Sequence, residues 1–521
     1  MISSRATATR VIAESFVQQR ERVKKHLHNP ASSIHLCTDT WKAPNRRYFQ
    51  AFNAHFVDKQ GNLRTALLAL PELRGIHDGE NIFSLLKPVL ELYEIKQKLG
   101  WLTSDNAGEN NTLCRAIERD LAGLVPPIAW PADQRRLRCF GHIINIGVNA
   151  FLFKQDPDAV EYAIELAGRA GRPIEEEFAQ GEGKSRGWTK EAAMQKLDGF
   201  IIALGSSSDL YNEFLERNQG RTIHRPNDTR WNSWFDAIDD ALALRDEYNG
   251  FVAKEEQLRE FELTITDWSS LEQTHNFLGP FKEVVKRCEG DYVTLDQLQE
   301  SMDFLVSHYK EQMTTQAPNT GLRAAIATSW YAFDKYYQKL DTVGIYVAAL
   351  LLHPGRRRAY LEAEWKRDWI APALRRAREL WKEKYEGMPH EDEPSLAAPS
   401  VTHELSQFEL WRRSVKDKQK AKDKLDEFDR FVKASPEDIE MPVLRWWLQP
   451  AIQKTYPTLW RMAVDCLSAA AMSADSERVF SGTGRTISYD RSTLTSAHIA
   501  ELETQKQWKV SGLSDMSYTD E

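Results

Sequence analysis

No stretch of the 521 residues approaches the roughly 18–20 consecutive apolar residues that a membrane-spanning helix needs, so the chain reads as soluble with no membrane partner. Cysteine is scarce. The five, at 37, 114, 139, 288 and 466, are scattered and odd in number, which argues against a disulfide framework and for a reducing compartment. The paired Cys and paired His of a structural zinc site are missing as well. So is any excess of positive charge: 68 basic against 76 acidic side chains leave a net −8. A chain of that balance does not coat nucleic acid by bulk electrostatics. Any contact with phosphates has to come from local patches, because their neutralisation is short-ranged and screened by salt.

What remains is the composition of an ordinary folded protein, 42% hydrophobic and 28% charged, with a high count of 16 tryptophans. The length exceeds what one hydrophobic core usually supports, so several cores or a domain with a large insertion is expected. Residues 1–22 carry Ser, Thr and Arg with no acid before Glu14, which imitates an organelle transit peptide. Val11, Ile12, Phe16 and Val23 instead recur at helical spacing, and a helix leading into the first strand is the expectation. Three strands follow at 34–40, 48–56 and 63–70, the last two joined by the turn residues Asp58 to Asn62. A helix over 81–99, a fourth strand ending at Asp105 and a helix over 109–121 come next. A short basic strand at 135–138 leads into a helix through Phe153. Residues 157–440 read as a long, mainly helical block with loops near 179–187 and 387–400, the second rich in Pro, Ser and acids.

Three isolated carboxylates stand out. Asp39 and Asp105 close apolar strands, and Glu477 lies inside the small, apolar helical segment Ser473 to Ser481, reading SADSERVFS. Two divalent cations that clamp the attacking and leaving oxygens of an in-line displacement take oxygen ligands, and carboxylates supply them. An Asp at a strand end is also a common turn or cap residue, so spacing alone leaves both readings open. Cys139 and His142 are spaced as Cys-x-x-His, but a tetrahedral zinc site needs two more ligands and none is near.

The motifs resolve these alternatives by resemblance. CTDTW (37–41), TSDNAGENN (103–111), RCFGHIINI (138–146), DTRWNSW (228–234), VLRWW (443–447), YPTL (456–459), SERVFS (476–481) and DRSTL (490–494) occur in the order seen in transposases of the hAT superfamily. The chain resembles that branch of the ribonuclease-H-like recombinases over roughly positions 34 to 510. The resemblance implies an α/β fold in which a ribonuclease-H-like mixed sheet, with strand and helix order βββαβα, is interrupted by a large mainly α-helical insertion. The domains expected are a helical lead-in (1–30), the first part of the catalytic domain (31–156), the insertion (157–440), the end of that domain with a dimerisation region (441–512), and a tail (513–521).

The same resemblance makes Asp39, Asp105 and Glu477 catalytic ligands of Mg²⁺ or Mn²⁺, with His142 assisting near the scissile phosphate. It implies cut-and-paste chemistry on DNA, both transposon ends and target, carried out by a homodimer or higher homo-oligomer in the nucleus. Arg230 and Trp231 become DNA contacts, Trp231 stacking on a displaced base, although a Trp beside a capped helix start also serves as core. Arg356, Arg357 and Arg358 open a window to Lys384 with ten basic residues against five acids, a candidate contact for the DNA backbone. Trp365 and Trp369, four apart in that window, read as a pair on one helical face packing into the core. Many hAT transposases begin with a BED-type zinc finger, and no such spacing occurs here. A domesticated copy that dimerises and binds DNA or chromatin without cutting is the principal alternative. A ribonuclease-like hydrolase is disfavoured by DTRWNSW and the C-terminal motifs.

Overall fold

The structure, a computed structural model, describes residues 5–153, 187–227, 231–288, 290, 294–315, 320–340, 342–388, 426–487 and 494–514. Asp228 and Thr229, most of both loops read at 179–187 and 387–400, and Asp490 lie outside them. The chain divides into two compact units, one comprising 1–137, 294–299 and 341–521, the other 138–293 and 300–340.

The first unit is built on strands β1 (Ile34–Lys42), β2 (Tyr48–Val57), β3 (Leu63–Ala69), β4 (Glu72–Leu73), β5 (Leu99–Ser104) and β6 (Arg136–Arg138). They form a mixed sheet in the order β3-β2-β1-β5-β6, with β4 on the side of β2. β1 runs antiparallel to β2 and parallel to β5. The β2–β3 turn has a local cause: Gly61 takes φ +77°, and the Asp58 carboxylate accepts from the backbone N–H of Asn62 at 2.8 Å and from Arg64 Nε at 2.7 Å.

Because side chains alternate along a strand, the sheet has two different faces. Ile34, Leu36, Phe52, Ala54, Phe56 and Leu102 point to one core, closed by helices α1 (Arg5–His28), α2 (Gly79–Leu92) and α3 (Glu109–Ala122). Phe49 and Ala51 point to the other. There they meet Val479, Phe480 and Ile499 of helices that return from the far end of the chain. These are α4 (Leu459–Ser468), α5 (Ala474–Thr486) and α6 (Ser496–Val510). α6 also reaches the first core: the Trp508 ring stacks on Phe16 of α1 at 5.3 Å, and its Nε1 donates to the carbonyl of Leu67 at 2.8 Å.

The sheet is the α/β, ribonuclease-H-like one expected, with two differences of detail. α2 ends at Leu92 rather than 99, since Glu94 turns to φ +56° and a single 3₁₀ turn leads into β5. The two-residue β4, too short for a periodic signal, pairs with Tyr48 and Phe49 of β2. The partition of the chain also falls elsewhere than 157–440, because residues 341–440, where described, group with the sheet unit. Trp447 shows why: it is fully buried and donates through Nε1 to the carbonyl of Leu352 at 2.8 Å.

The second unit is helical. Its helix Phe140–Phe153 packs closely on Thr320–Leu340 at Gly147, whose carbonyl accepts from Ser329 Oγ at 2.9 Å. A Cβ on Gly147 would stand 3.2 Å from the Tyr309 hydroxyl, so only a glycine leaves normal clearance there. Among the described residues no helix of either unit is long and apolar enough to cross a membrane.

Candidate active site

The parallel pairing of β1 with β5 sets Cys37 beside Thr103, and each of these residues is followed two positions later by an aspartate. Asp39 and Asp105 thus emerge at the same end of adjacent strands and on the same face as Cys37 and Thr103. Asp39 is half-buried, and its Oδ1 accepts from the backbone N–H of Thr40 at 2.9 Å. Asp105 begins the loop into α3. Its Oδ1 accepts from the Ala107 N–H at 3.1 Å and from Asn110 Nδ2 at 2.5 Å. Arg136 of β6 fixes that loop from below, donating to the carbonyls of Asp105 at 2.8 Å and Ala107 at 3.1 Å and to the Asn111 side chain.

Glu477 stands on the first turn of α5 and is exposed, although its neighbour Ser476 is fully buried. α5 lies on β1 and β2, with Phe480 stacked on Trp41 at 5.6 Å. The three acids share one electrostatic neighbourhood. Burial, then the charge of Asp105, and further the charge of Glu477 push the Asp39 carboxyl up to about 7, against the lowering effect of the Thr40 N–H.

The donor set fits a hard divalent cation: every donor is a carboxylate oxygen, and a positive ion would offset the burial and the carboxylate repulsion that raise the Asp39 carboxyl. Among the described residues no group of three His, Cys, Asp or Glu is placed to hold a metal ion, so Asp39, Asp105 and Glu477 do not form a closed protein cage. Mg²⁺ does not require one, since it is commonly held by one or two carboxylates and completes its shell with water and substrate oxygens.

The remaining candidate residues lie on several elements. His142 is half-buried on the first turn of its helix in the second unit. Trp231 opens the helix Trp231–Ala243 and is only 3% exposed, packed on the same buried face as Trp234, Phe235 and Ile238. This corrects the reading of Trp231 as an open stacking surface. Arg230 lies outside the described residues.

Arg356 and Arg357 are corrected too. Arg356 donates to the Asp296 carboxylate at 3.0 Å, and Arg357 is buried over the Phe431 ring at 4.6 Å beside Glu437. Both guanidiniums hold the unit together. Arg358 is engaged by Glu362 one turn along its helix, at 2.7 Å. A furrow of about 350 Å³ is lined by Arg358, Arg375, Arg378, Lys382 and Lys433. Glu362, Glu379, Asp426 and Asp429 pair with four of these five cations, so the furrow is far less positive than its sequence. Trp365 and Trp369 do not share a face: Trp365 ends one helix and Trp369 lies in the next, 43% exposed with Lys366 Nζ above its ring.

Val443, Leu444, Trp446, Trp447 and Leu459 are all buried within the chain. Arg136 and Asn110, which fix the Asp105 loop, were missed as site residues. Arg136 had a signal in the short basic strand, but nothing in the sequence says which loop it serves.

The sheet order, the paired strand-end aspartates and the returning acidic helix define a ribonuclease-H-like domain of the recombinase kind. Comparison with known proteins agrees, residues 37–125 matching the ZBED1 RNase-like domain and residues 421–509 the hAT family C-terminal dimerisation region. The chain is a hAT transposase-like protein that carries both of these regions. It is similar to two maize proteins named as candidate AC and AC9 transposases, at 20% identity over 99% and 97% of this chain. It is also similar, at 23% identity over 94% of its length, to tpeD of Talaromyces stipitatus, named as a candidate transcriptional regulator. The chain spans 55–62% of the length of these relatives.

Proposed function

We propose that the chain is a DNA transposase whose acidic centre cleaves a DNA strand and joins the released end to a target. The observation that carries this reading is the electrostatic coupling of Asp39 to both Asp105 and Glu477, across 66 and 438 positions of sequence. Asp39 and Asp105 would hold the divalent cation, with Glu477 completing the oxygen set. When bound, Mg²⁺ or Mn²⁺ supplies Lewis-acid polarisation of the phosphodiester and lowers the pKa of an attacking water. Asp39 must lose its proton to serve as a ligand, so cation binding and strand cleavage both rise with pH through about 7. Asn110 and Arg136 keep the Asp105 loop from relaxing away from Asp39. DNA as substrate, a homodimer or larger assembly built through the 421–509 region, and work in the nucleus belong to the same proposal.

A second reading, a transposase descendant that binds DNA or chromatin as a regulator without cutting, is favoured by the similarity to tpeD and by the burial of Trp231. The deciding experiment incubates the chain with Mg²⁺ and DNA from either side of its own coding sequence. The proposal expects cation-dependent strand breaks that vanish in Asp105→Asn; intact DNA bound and shifted equally by both proteins supports the regulator instead.

A further inference from the structure

One pleat before the acids, a row of three residues crosses the sheet. Cys37 is the register partner of Asn53 on β2 and of Thr103 on β5, and all three point to the face covered by α4 and α5. They are buried, Asn53 1% and Thr103 0% exposed, on a sheet whose other face packs an apolar core. Buried polar side chains in such a place cost free energy unless they are paired. Here a single stretch of chain, 470–476, which leads into the helix of Glu477, supplies a partner to each of the three.

Thr103 Oγ1 donates to the carbonyl of Ala470 at 2.7 Å, the Cys37 thiol lies 3.7 Å from the carbonyl of Met472, and Asn53 Nδ2 donates to Ser476 Oγ at 2.9 Å. Ser476 is 0% exposed and immediately precedes Glu477. One row further back, His55 of β2 lies 3.3 Å from Asp475. The contacts fix the depth of the incoming chain at β5 and β1, and its rotation at β2. Apolar packing alone would fix neither, because it is non-directional.

We propose that Asn53 and Thr103 are positioning residues that set the height and rotation of Glu477 over the Asp39 and Asp105 pair. This inference rests on the reading of Glu477 as a member of the acidic centre. Asp39 lies two residues along β1 from the row, about 7 Å, and Asp105 lies two residues past Thr103, just beyond the end of β5. Any shift of 470–476 against the row is therefore delivered to Glu477 and not to the aspartates. Residues that support a ligand in this way typically change metal affinity by about 10–100-fold when lost.

The test is titration of Mn²⁺ into the full chain and into four variants, with thermal unfolding of each. Asn53→Leu leaves Ser476 without its donor and lowers stability, whereas Asn53→Leu with Ser476→Ala removes both polar partners and restores much of it. A merely structural bond would restore Mn²⁺ binding along with stability. Positioning predicts that the folded double variant still binds Mn²⁺ about tenfold or more weakly than the parent. Thr103→Val, which keeps its shape and loses its donor, gives the same direction of change and decides the matter if the double variant does not fold. Affinity within about twofold of the parent in these variants, with Glu477→Gln weakened, overturns the positioning role alone. Unchanged affinity in Glu477→Gln overturns the acidic-centre reading and the inference with it.

Discussion

Asp39 carries the electrostatic strain of the candidate centre, and the strain has a sign that can be measured. With its carboxyl raised from 3.8 to about 7, the folded chain retains between those pH values a proton that the unfolded chain has lost. Its contribution to stability is therefore highest below about pH 4, falls as pH rises to about 7, and is lowest above that. Asp39→Asn removes the charge, and we expect it to stabilise the chain by about 1–2 kcal/mol at pH 8, after discount for partial solvent screening, and by almost nothing at pH 4. Thermal unfolding of both proteins at the two pH values checks this, and an equal difference at both would refute it. Trp231 is the opposite case. As a buried ring it should cost about 3–5 kcal/mol when cut to Ala and far less when changed to Phe. DNA processing by Trp231→Phe should then match the parent, whereas a base-stacking role would show as lost hairpin formation in a fully folded Trp231→Ala.

The elements that carry the three acids were legible in unequal measure. β1, β2, β3 and β5 announce themselves by alternating apolar residues between turn residues, and Asp39 and Asp105 can be found because they end such runs. Glu477 stands out only as an acid in a small, apolar helical segment, and it was the SERVFS resemblance that gave it a role. Cross-strand register was not legible at all: nothing in the sequence pairs Cys37 with Thr103 or sends Asn53 to Ser476, 423 positions away. Burial was misread where a motif invited function, as at Trp231, Arg356 and Arg357, because the partners that enclose them are distant in sequence. Arg136 shows the consequence of such a long-range contact at the level of an element. Changing it to Met preserves bulk but strips donors from the carbonyls of Asp105 and Ala107, a cost of about 1–3 kcal/mol. Hydrogen exchange should locate the loss in residues 105–111, with β1 and β2 unaffected; uniform loss across the sheet would deny Arg136 its local role.

At the scale of the molecule, the 421–509 region serves the fold before it serves any assembly. Its aromatics Phe428, Phe431, Trp446, Trp447 and Phe480 are buried inside the chain, and α6 delivers Trp508, fully buried, to the first core. Deleting the residues after Asp490 removes α6 and, with it, Trp508 from the first core. The expected outcome is that the sheet unit loses stability while the helical unit keeps its fold. Limited proteolysis of the truncated chain should release an intact fragment within 138–340 and degrade the strands; survival of both units would contradict this. A subunit contact in the region then has to use its outer surface, so Trp447→Ala should unfold the sheet unit rather than yield a folded monomer.

The claim on which all of this depends is that residues 39, 105 and 477 surround one cation. Fe²⁺ substituted for Mg²⁺, with ascorbate and peroxide, generates hydroxyl radicals that cut the backbone within a few ångströms of the bound ion. The expected result is a set of cuts near Asp39, Asp105 and Glu477 together, suppressed by excess Mg²⁺ and absent in Asp39→Asn. Cuts confined to one of the three positions, or a pattern indifferent to Mg²⁺, would contradict the account.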